Sequence, residues 1–131
     1  MKRIKDRLAV RGGVFLAALM LALMPASVCA QVRINELMAD NATTLLNEDT
    51  YPDWVELYNT AAQDVDIGGW FLTDNATNIS KFRFRSPTVI PANSFLLVFC
   101  DSETNAPGLH SGFKLAKEGG FVGLYQSGIL Q

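Results

Sequence analysis

The stretch DWVELYN, residues 53–59, shows the alternation on which the fold depends. Val55 and Leu57 alternate with Trp54, Glu56 and Tyr58, and successive side chains of a β-strand point to opposite faces. We therefore expect Val55 and Leu57 to face a core. The other three should face outward or lie under a neighbouring loop, which raises the question of what a carboxylate does between two aromatic rings.

Strand-like segments follow one another along the rest of the chain. β-branched and aromatic residues fill the segments, Gly, Pro, Asn and Asp fill the gaps, and no sustained helical period appears after residue 30. This pattern predicts an all-β sandwich or barrel. The other predicted strands are VRINELM (32–38), DVDI (64–67), WFLTD (70–74), KFRFR (81–85), SFLLVF (94–99), GFKLA (112–116) and FVGLYQ (121–126).

Residues 1–30 have the layout of a secretory signal peptide. Basic residues precede the apolar run Val14–Met24, and Val28 and Ala30 place small side chains at the −3 and −1 positions. The run of 11 residues is shorter than the stretch of about 20 that spans a membrane. We predict cleavage after Ala30, which leaves Gln31 as the first residue of a secreted or cell-surface protein with no membrane segment.

The predicted mature part, residues 31–131, is the length of one domain and is acidic. It holds six basic and twelve acidic side chains, a formal charge of −6, which gives no electrostatic footprint for nucleic acid. Lys81, Arg83 and Arg85 alternate with aromatic residues, as they do in some nucleic-acid-binding strands. The acidic surroundings favour a strand with a solvated face instead.

Catalytic pairs find little support in the sequence. Cys100 is the one cysteine of the mature part, so no internal disulfide can form, and we expect it to be a buried small hydrophobe. Pairing with His110 would lack a third group to orient the base. Glu36 and Glu56 suggest paired glycosidase carboxylates, but nothing fixes their separation.

Lipid attachment at Cys29 is the alternative to the predicted cleavage after Ala30.

Six pieces of sequence, in order, carry a resemblance to a known family. They are INELMADN (34–41), YPDWVELYNT (51–60), VDIGGWFLTDN (65–75), KFRF (81–84), TVIPANSFLLVFCD (88–101) and LHSGFKLAKEGGFVGLY (109–125). Together they resemble the lamin-tail domain, in particular its versions in exported bacterial proteins. The resemblance implies an immunoglobulin-like β-sandwich with no chemistry of its own.

The resemblance also implies a function. We expect a non-catalytic interaction module that presents loops and a sheet edge to a protein or cell-surface glycan. The alternative is an N-terminal accessory module of a larger secreted enzyme, such as a nuclease or hydrolase. Domains of this family usually continue past the strand that ends in LY (124–125) through at least one more strand. Because the sequence stops at Gln131, we expect a clipped sandwich that lacks its last strand or strands.

The outward residues Trp54, Glu56 and Tyr58 form the candidate interaction surface. Aromatic rings could stack on a ligand while the carboxylate accepts hydrogen bonds. The structural alternative is that Glu56 accepts backbone N–H groups of the loop 39–53 or pairs with an arginine of the KFRFR segment.

The loop 39–53 is long, polar and acidic, and loops of this length are often functional. Asp40, Glu48, Asp49 and Asp53 suggest a weak Ca²⁺ site with oxygen ligands. The spacing of an EF-hand is missing, so a solvated acidic loop is favoured and no other cofactor is expected.

Two glycines come directly before a large aromatic residue. We expect Gly68 and Gly69 to adopt positive φ in a tight turn, and Trp70 to fill part of the core.

Overall fold

The computed structural model describes residues 31–126 and 129–131, which form β-strands and loops with no α-helix among them. The all-β prediction is therefore confirmed, whereas the predicted signal peptide lies outside the described residues. Within these ranges the structure contains no helix with the length and apolarity needed to cross a bilayer. The strands are β1 Val32–Met38, β2 Asp53–Asn59, β3 Val65–Asp66, β4 Phe71–Thr73, β5 Phe82–Arg83, β6 Val89–Ile90, β7 Phe95–Cys100, β8 Gly123–Gln126 and β9 Ile129–Leu130.

The strands pair into three antiparallel sheets. A three-stranded sheet has the order β1–β2–β7, a four-stranded sheet has the order β5–β4–β8–β9, and β3 pairs with β6 in a short ribbon. In the first sheet the register between β1 and β2 shifts between Ile34 and Glu36, which makes Asn35 the extra residue of a bulge. The long strand β2 lies at the centre of this sheet.

The core contains buried side chains from all three sheets. Val55 and Leu57 of β2 are fully buried, as the alternation predicts, and they belong to one cluster with Leu72 of β4 and Leu124 of β8. Complete burial of an aliphatic side chain stabilises the fold by about 1.5–3 kcal/mol. Trp70 is also part of this cluster, which confirms its predicted place in the core.

The segment GFKLA is not a strand, which corrects one prediction. Gly112 has a φ of 75°, a left-handed conformation that interrupts an extended chain. The N–H of Leu115 donates to Asp53 Oδ2 at 3.2 Å instead of joining a sheet ladder. The strands β6 and β9 were not predicted, and KFRFR forms strand only at Phe82–Arg83.

The loop between β1 and β2 is held by side-chain hydrogen bonds at both of its ends. The Nδ2 group of Asn41 donates to the carbonyls of Leu45 and Pro52, each at 2.8 Å. Asp53 Oδ1 accepts the N–H of Asn41 at 3.2 Å. Since Asp53 also holds Leu115, this one carboxylate fixes both the loop and the segment after residue 112 against the end of β2.

Candidate interaction surface

The outward side of the β1–β2–β7 sheet, which we call the outer face, carries three rows of side chains. Each row crosses the sheet with one residue from each strand, because the paired residues stand side by side. The rows are Arg33–Tyr58–Phe95, Glu36–Glu56–Leu97 and Met38–Trp54–Phe99.

The first row is an aromatic stack with a cation on one side. The ring centroids of Tyr58 and Phe95 lie 4.5 Å apart with an interplanar angle of 26°, and the Arg33 guanidinium lies 5.7 Å from the Tyr58 centroid. Because β1 and β7 flank β2, Arg33 and Phe95 approach the Tyr58 ring from opposite sides. The faces of Tyr58 are therefore occupied within the protein, whereas Phe95 is 54% exposed.

The second row brings two carboxylates together. Glu36 stands opposite Glu56 in the register of β1 and β2, and like charges in that position destabilise a sheet. Glu56 Oε1 accepts a hydrogen bond from Asn35 Nδ2 at 2.8 Å. The predicted partners of Glu56, loop N–H groups or an arginine, are therefore wrong, because the bulge places an amide beside it. Within the described ranges neither glutamate takes part in an ion pair.

Two members of the third row, Trp54 and Phe99, are buried although the row lies on the outer face, and Met38 is half-buried. Trp54 is 7% exposed and Phe99 is 8% exposed. Residues 109–111 run along β7, where the Phe99 N–H donates to the Leu109 carbonyl at 2.7 Å and the Ser111 N–H donates to the Phe99 carbonyl at 2.9 Å. Trp54 Nε1 has no hydrogen-bond partner in the part of the chain that the structure describes. Of the three predicted surface residues, Glu56 and Tyr58 are accessible and Trp54 is not.

Cys100 and His110 do not form a catalytic pair. Burial raises the pKa of the Cys100 thiol to about 12, so the nucleophilic thiolate is disfavoured. The Nδ1 atom of His110 lies 2.7 Å from Asp101 Oδ1, and its Nε2 atom lies 3.3 Å from the Pro107 carbonyl. Both ring nitrogens are thus engaged with other groups. The buried pair of Asp101 and His110 was not predicted, and its signal in the sequence is an acid directly after an apolar strand.

The acids of the loop 39–53 are not brought together as ligands. Among residues 31–126 and 129–131 no group of three or more His, Cys, Asp or Glu side chains could hold a metal ion. Asp40 pairs with Lys117 at 2.5 Å, and both oxygens of Asp53 accept backbone N–H groups. Glu48 and Asp49 do not form a ligand group with Asp40 or Asp53. The described residues therefore give no support to the suggested Ca²⁺ site.

Comparison with known proteins places the chain in a family. The family model described as Lamin Tail Domain matches residues 25–128, which is most of the sequence. A search of curated proteins found no significant match. The matched range includes every strand of the three sheets up to β8, and its agreement with an all-β structure of immunoglobulin-like type leads to one conclusion: the chain belongs to the lamin tail domain family.

Proposed function

We propose that this chain is an exported, non-catalytic interaction module that binds a protein partner through the outer face. Its family consists of immunoglobulin-like domains that generally mediate interactions rather than catalyse reactions. The layout of residues 1–30 supports export.

The observation that carries the proposal is the exposed apolar end of the outer face. Phe95 is 54% exposed, and it stands beside the half-buried Tyr58 and in the same strand as Leu97. The opposite side of the same strands is already buried in the core. An apolar patch rimmed by charged residues is typical of a protein–protein contact.

The stacking of Tyr58 favours a protein over a glycan. A sugar ring binds well on a free, flat aromatic face, but Phe95 and Arg33 occupy the two sides of Tyr58. The row Arg33–Tyr58–Phe95 therefore offers a ligand the edge of the Tyr58 ring and the exposed ring of Phe95. Apolar side chains of a protein pack against such an uneven surface more readily than a flat sugar does.

Charge indicates the kind of protein partner. Glu36 and Glu56 face each other beside the aromatic row, in a domain with a formal charge of −6. A lysine or arginine of the partner placed between them would relieve their mutual repulsion. Complementary charge of this kind contributes to specificity and to the rate of association.

Site-specific photo-crosslinking in the source organism tests the proposal. A photoreactive residue at position 97 should give a discrete protein adduct. A matched residue at position 89, where Val89 is 47% exposed on β6, should not. The identified partner should then bind the purified Phe95→Ser variant about tenfold more weakly than the unsubstituted protein, because an exposed aromatic anchor is lost. A glycan adduct at position 97, or equal protein adducts at both positions, would contradict the proposal.

A further inference from the structure

A second, separate feature lies at the side of the sandwich. A cavity of about 330 Å³ opens between β5 and the segment 108–112, and the residues that surround it include Arg83, Arg85, Thr104, His110 and Ser111. We propose that this cavity binds the oxyanion of a small ligand, a carboxylate or a phosphate group. The proposal is independent of whether the outer face binds a protein.

The charge of the cavity differs from that of its surroundings. Within the described residues neither arginine belongs to an ion pair, whereas Lys81 pairs with Asp74 and Lys117 pairs with Asp40. None of the described residues that surround this cavity is acidic, and Asp101, which is bonded to the lining residue His110, is not among them. Acidic side chains line the cavities beside the loops at residues 40–53 and 114–122. In a domain of formal charge −6, two arginines without an ion-pair partner among the residues that surround one cavity favour a local positive potential.

The donors around the cavity are held by the sheets. Arg83 is fixed in β5, which pairs with β4 through Phe71. On the opposite wall, Leu109 and Ser111 are both bonded to Phe99 of β7. The N–H and the carbonyl of His110 between them therefore both point away from β7, because alternate residues of an extended chain direct their backbone groups to opposite sides. Asp101 holds the His110 ring at 2.7 Å, which fixes this wall further.

These groups suit an oxyanion better than a neutral or cationic ligand. A guanidinium presents paired N–H donors that match the two oxygens of a carboxylate or phosphate. The Thr104 hydroxyl is a further donor among the lining groups. The volume of the cavity leaves room for a small body attached to the anionic group, such as a sugar acid or a phosphorylated metabolite.

Titrations of the purified protein with inorganic phosphate and with galacturonate, at constant ionic strength against chloride, test this site. We expect at least one of the two anions to give saturable NMR shift changes at residues 83–85 and 108–112, with a Kd of about 1 mM. The Arg83→Gln/Arg85→Gln variant should bind the anion at least about tenfold more weakly, because the paired N–H donors of both guanidinium groups are lost. The Lys114→Gln/Lys117→Gln variant changes the net charge equally and should retain the affinity.

The outcomes separate the two sources of the oxyanion. Saturation by phosphate alone assigns a phosphoryl ligand, and saturation by galacturonate, alone or as well, assigns a carboxylate ligand. The proposal is overturned when neither anion saturates, or when the double arginine variant binds as well as the unsubstituted protein. If circular dichroism shows that this variant is unfolded, Arg85→Lys replaces it. The Arg85→Lys variant keeps the positive charge but loses the paired N–H donors of the guanidinium. Unchanged anion affinity in this variant counts against the site.

Discussion

Gly68 and Gly69 lead into β4 for two different physical reasons. Gly69 has a φ of 87°, as the sequence predicts for a tight turn, whereas Gly68 does not adopt positive φ. At Gly68 the constraint is space, because a Cβ atom there would lie 2.7 Å from the Cβ and 2.8 Å from the Cα of Ser86. The sequence identified the turn, but only the fold brings Ser86 against it.

The substitution Gly68→Ala should lower the free energy of unfolding by about 2 kcal/mol, as overpacking against backbone does. Gly120→Ala is the matched control, since its Cβ would meet no atom closer than Ala116 Cβ at 3.7 Å and its φ is not positive. Urea unfolding of both variants measures the difference. Equal stability of the two variants would mean that the backbone at Ser86 yields easily.

The thiol of Cys100 should be protected from alkylation in the folded protein. Its pKa of about 12 and its complete burial both suppress the reactive thiolate at pH 8. We expect modification by iodoacetamide to be at least a hundredfold slower than in urea-unfolded protein, since a pKa raised from 9.0 to about 12 reduces the thiolate fraction at pH 8 by about three orders of magnitude. Peptide mapping that isolates residue 100 gives the rate, and similar rates in the two states would contradict the assigned burial.

The environment of Glu56 shows where residue-level prediction ends. Its position on the outward side of β2 follows from alternation alone. Its partner, Asn35, depends on a bulge in β1 that the pattern VRINELM does not reveal. The burial of Trp54 likewise cannot be predicted from its own strand, because it depends on segments distant in sequence.

At the level of elements, the pattern around each strand decided whether the sequence could predict it. The segments that became β1, β2 and β7 have six or seven residues, enough for an alternating or continuous apolar pattern to stand out. The strands β6 and β9 have two residues each and lie in no alternating segment. The strands β3 and β5 are equally short, but each lies in a longer segment that alternates, DVDI or KFRFR. GFKLA alternates like a strand but is held by Asp53, a tertiary contact that composition does not encode.

The β3–β6 ribbon should weaken in acid because of Asp66. Its carboxylate accepts the N–H of Gly68 at 2.7 Å and the N–H of Thr88 at 2.9 Å, and these bonds lower its pKa from 3.8. A pKa lowered by folding contributes stability that is present above the unfolded pKa and lost as the pH falls through the folded pKa. We therefore expect the urea concentration at the unfolding midpoint to decrease as the pH falls below about 4. In the Asp66→Asn variant this decrease with pH should be smaller.

The control for this experiment is Glu118→Gln. Glu118 is exposed, and in the described part of the chain its side chain makes no hydrogen bond or ion pair. This variant should keep the acid dependence of the unsubstituted protein. If the urea midpoint depends on pH in the same way in Asp66→Asn and in Glu118→Gln, the acid sensitivity arises from other groups than Asp66.

At the scale of the whole molecule, the predicted export implies that the functional polypeptide is the processed chain and not the full sequence. The small residues Val28 and Ala30 predict cleavage after Ala30. Intact mass and N-terminal sequencing of the protein recovered from the extracytoplasmic fraction should therefore give Gln31 as the first residue. A chain that begins at Met1, or a lipid-modified Cys29, would contradict this prediction.

The sequence also predicted the general architecture, because six ordered pieces carry the family resemblance and the strands bury one shared core. It could not predict how the strands divide among the sheets. The separation of β3 and β6 from the larger sheets depends on two Cα pairings, Val65 with Ile90 and Asp66 with Val89. The oxyanion cavity was equally hidden, since its two walls come from segments that meet only after folding.

The two longest loops among the described residues, 39–52 and 101–122, are joined by the ion pair of Asp40 with Lys117 and by a hydrogen bond. Asn47 Nδ2 donates to the Pro107 carbonyl at 2.9 Å, across 60 residues of sequence. Variation in either loop is therefore constrained by the other, and inserted or grafted residues at positions 42–50 would also disturb residues 108–111, which contact Phe99. Engineers who wish to diversify this scaffold should randomise both loops together or leave Asn47 and Pro107 in place.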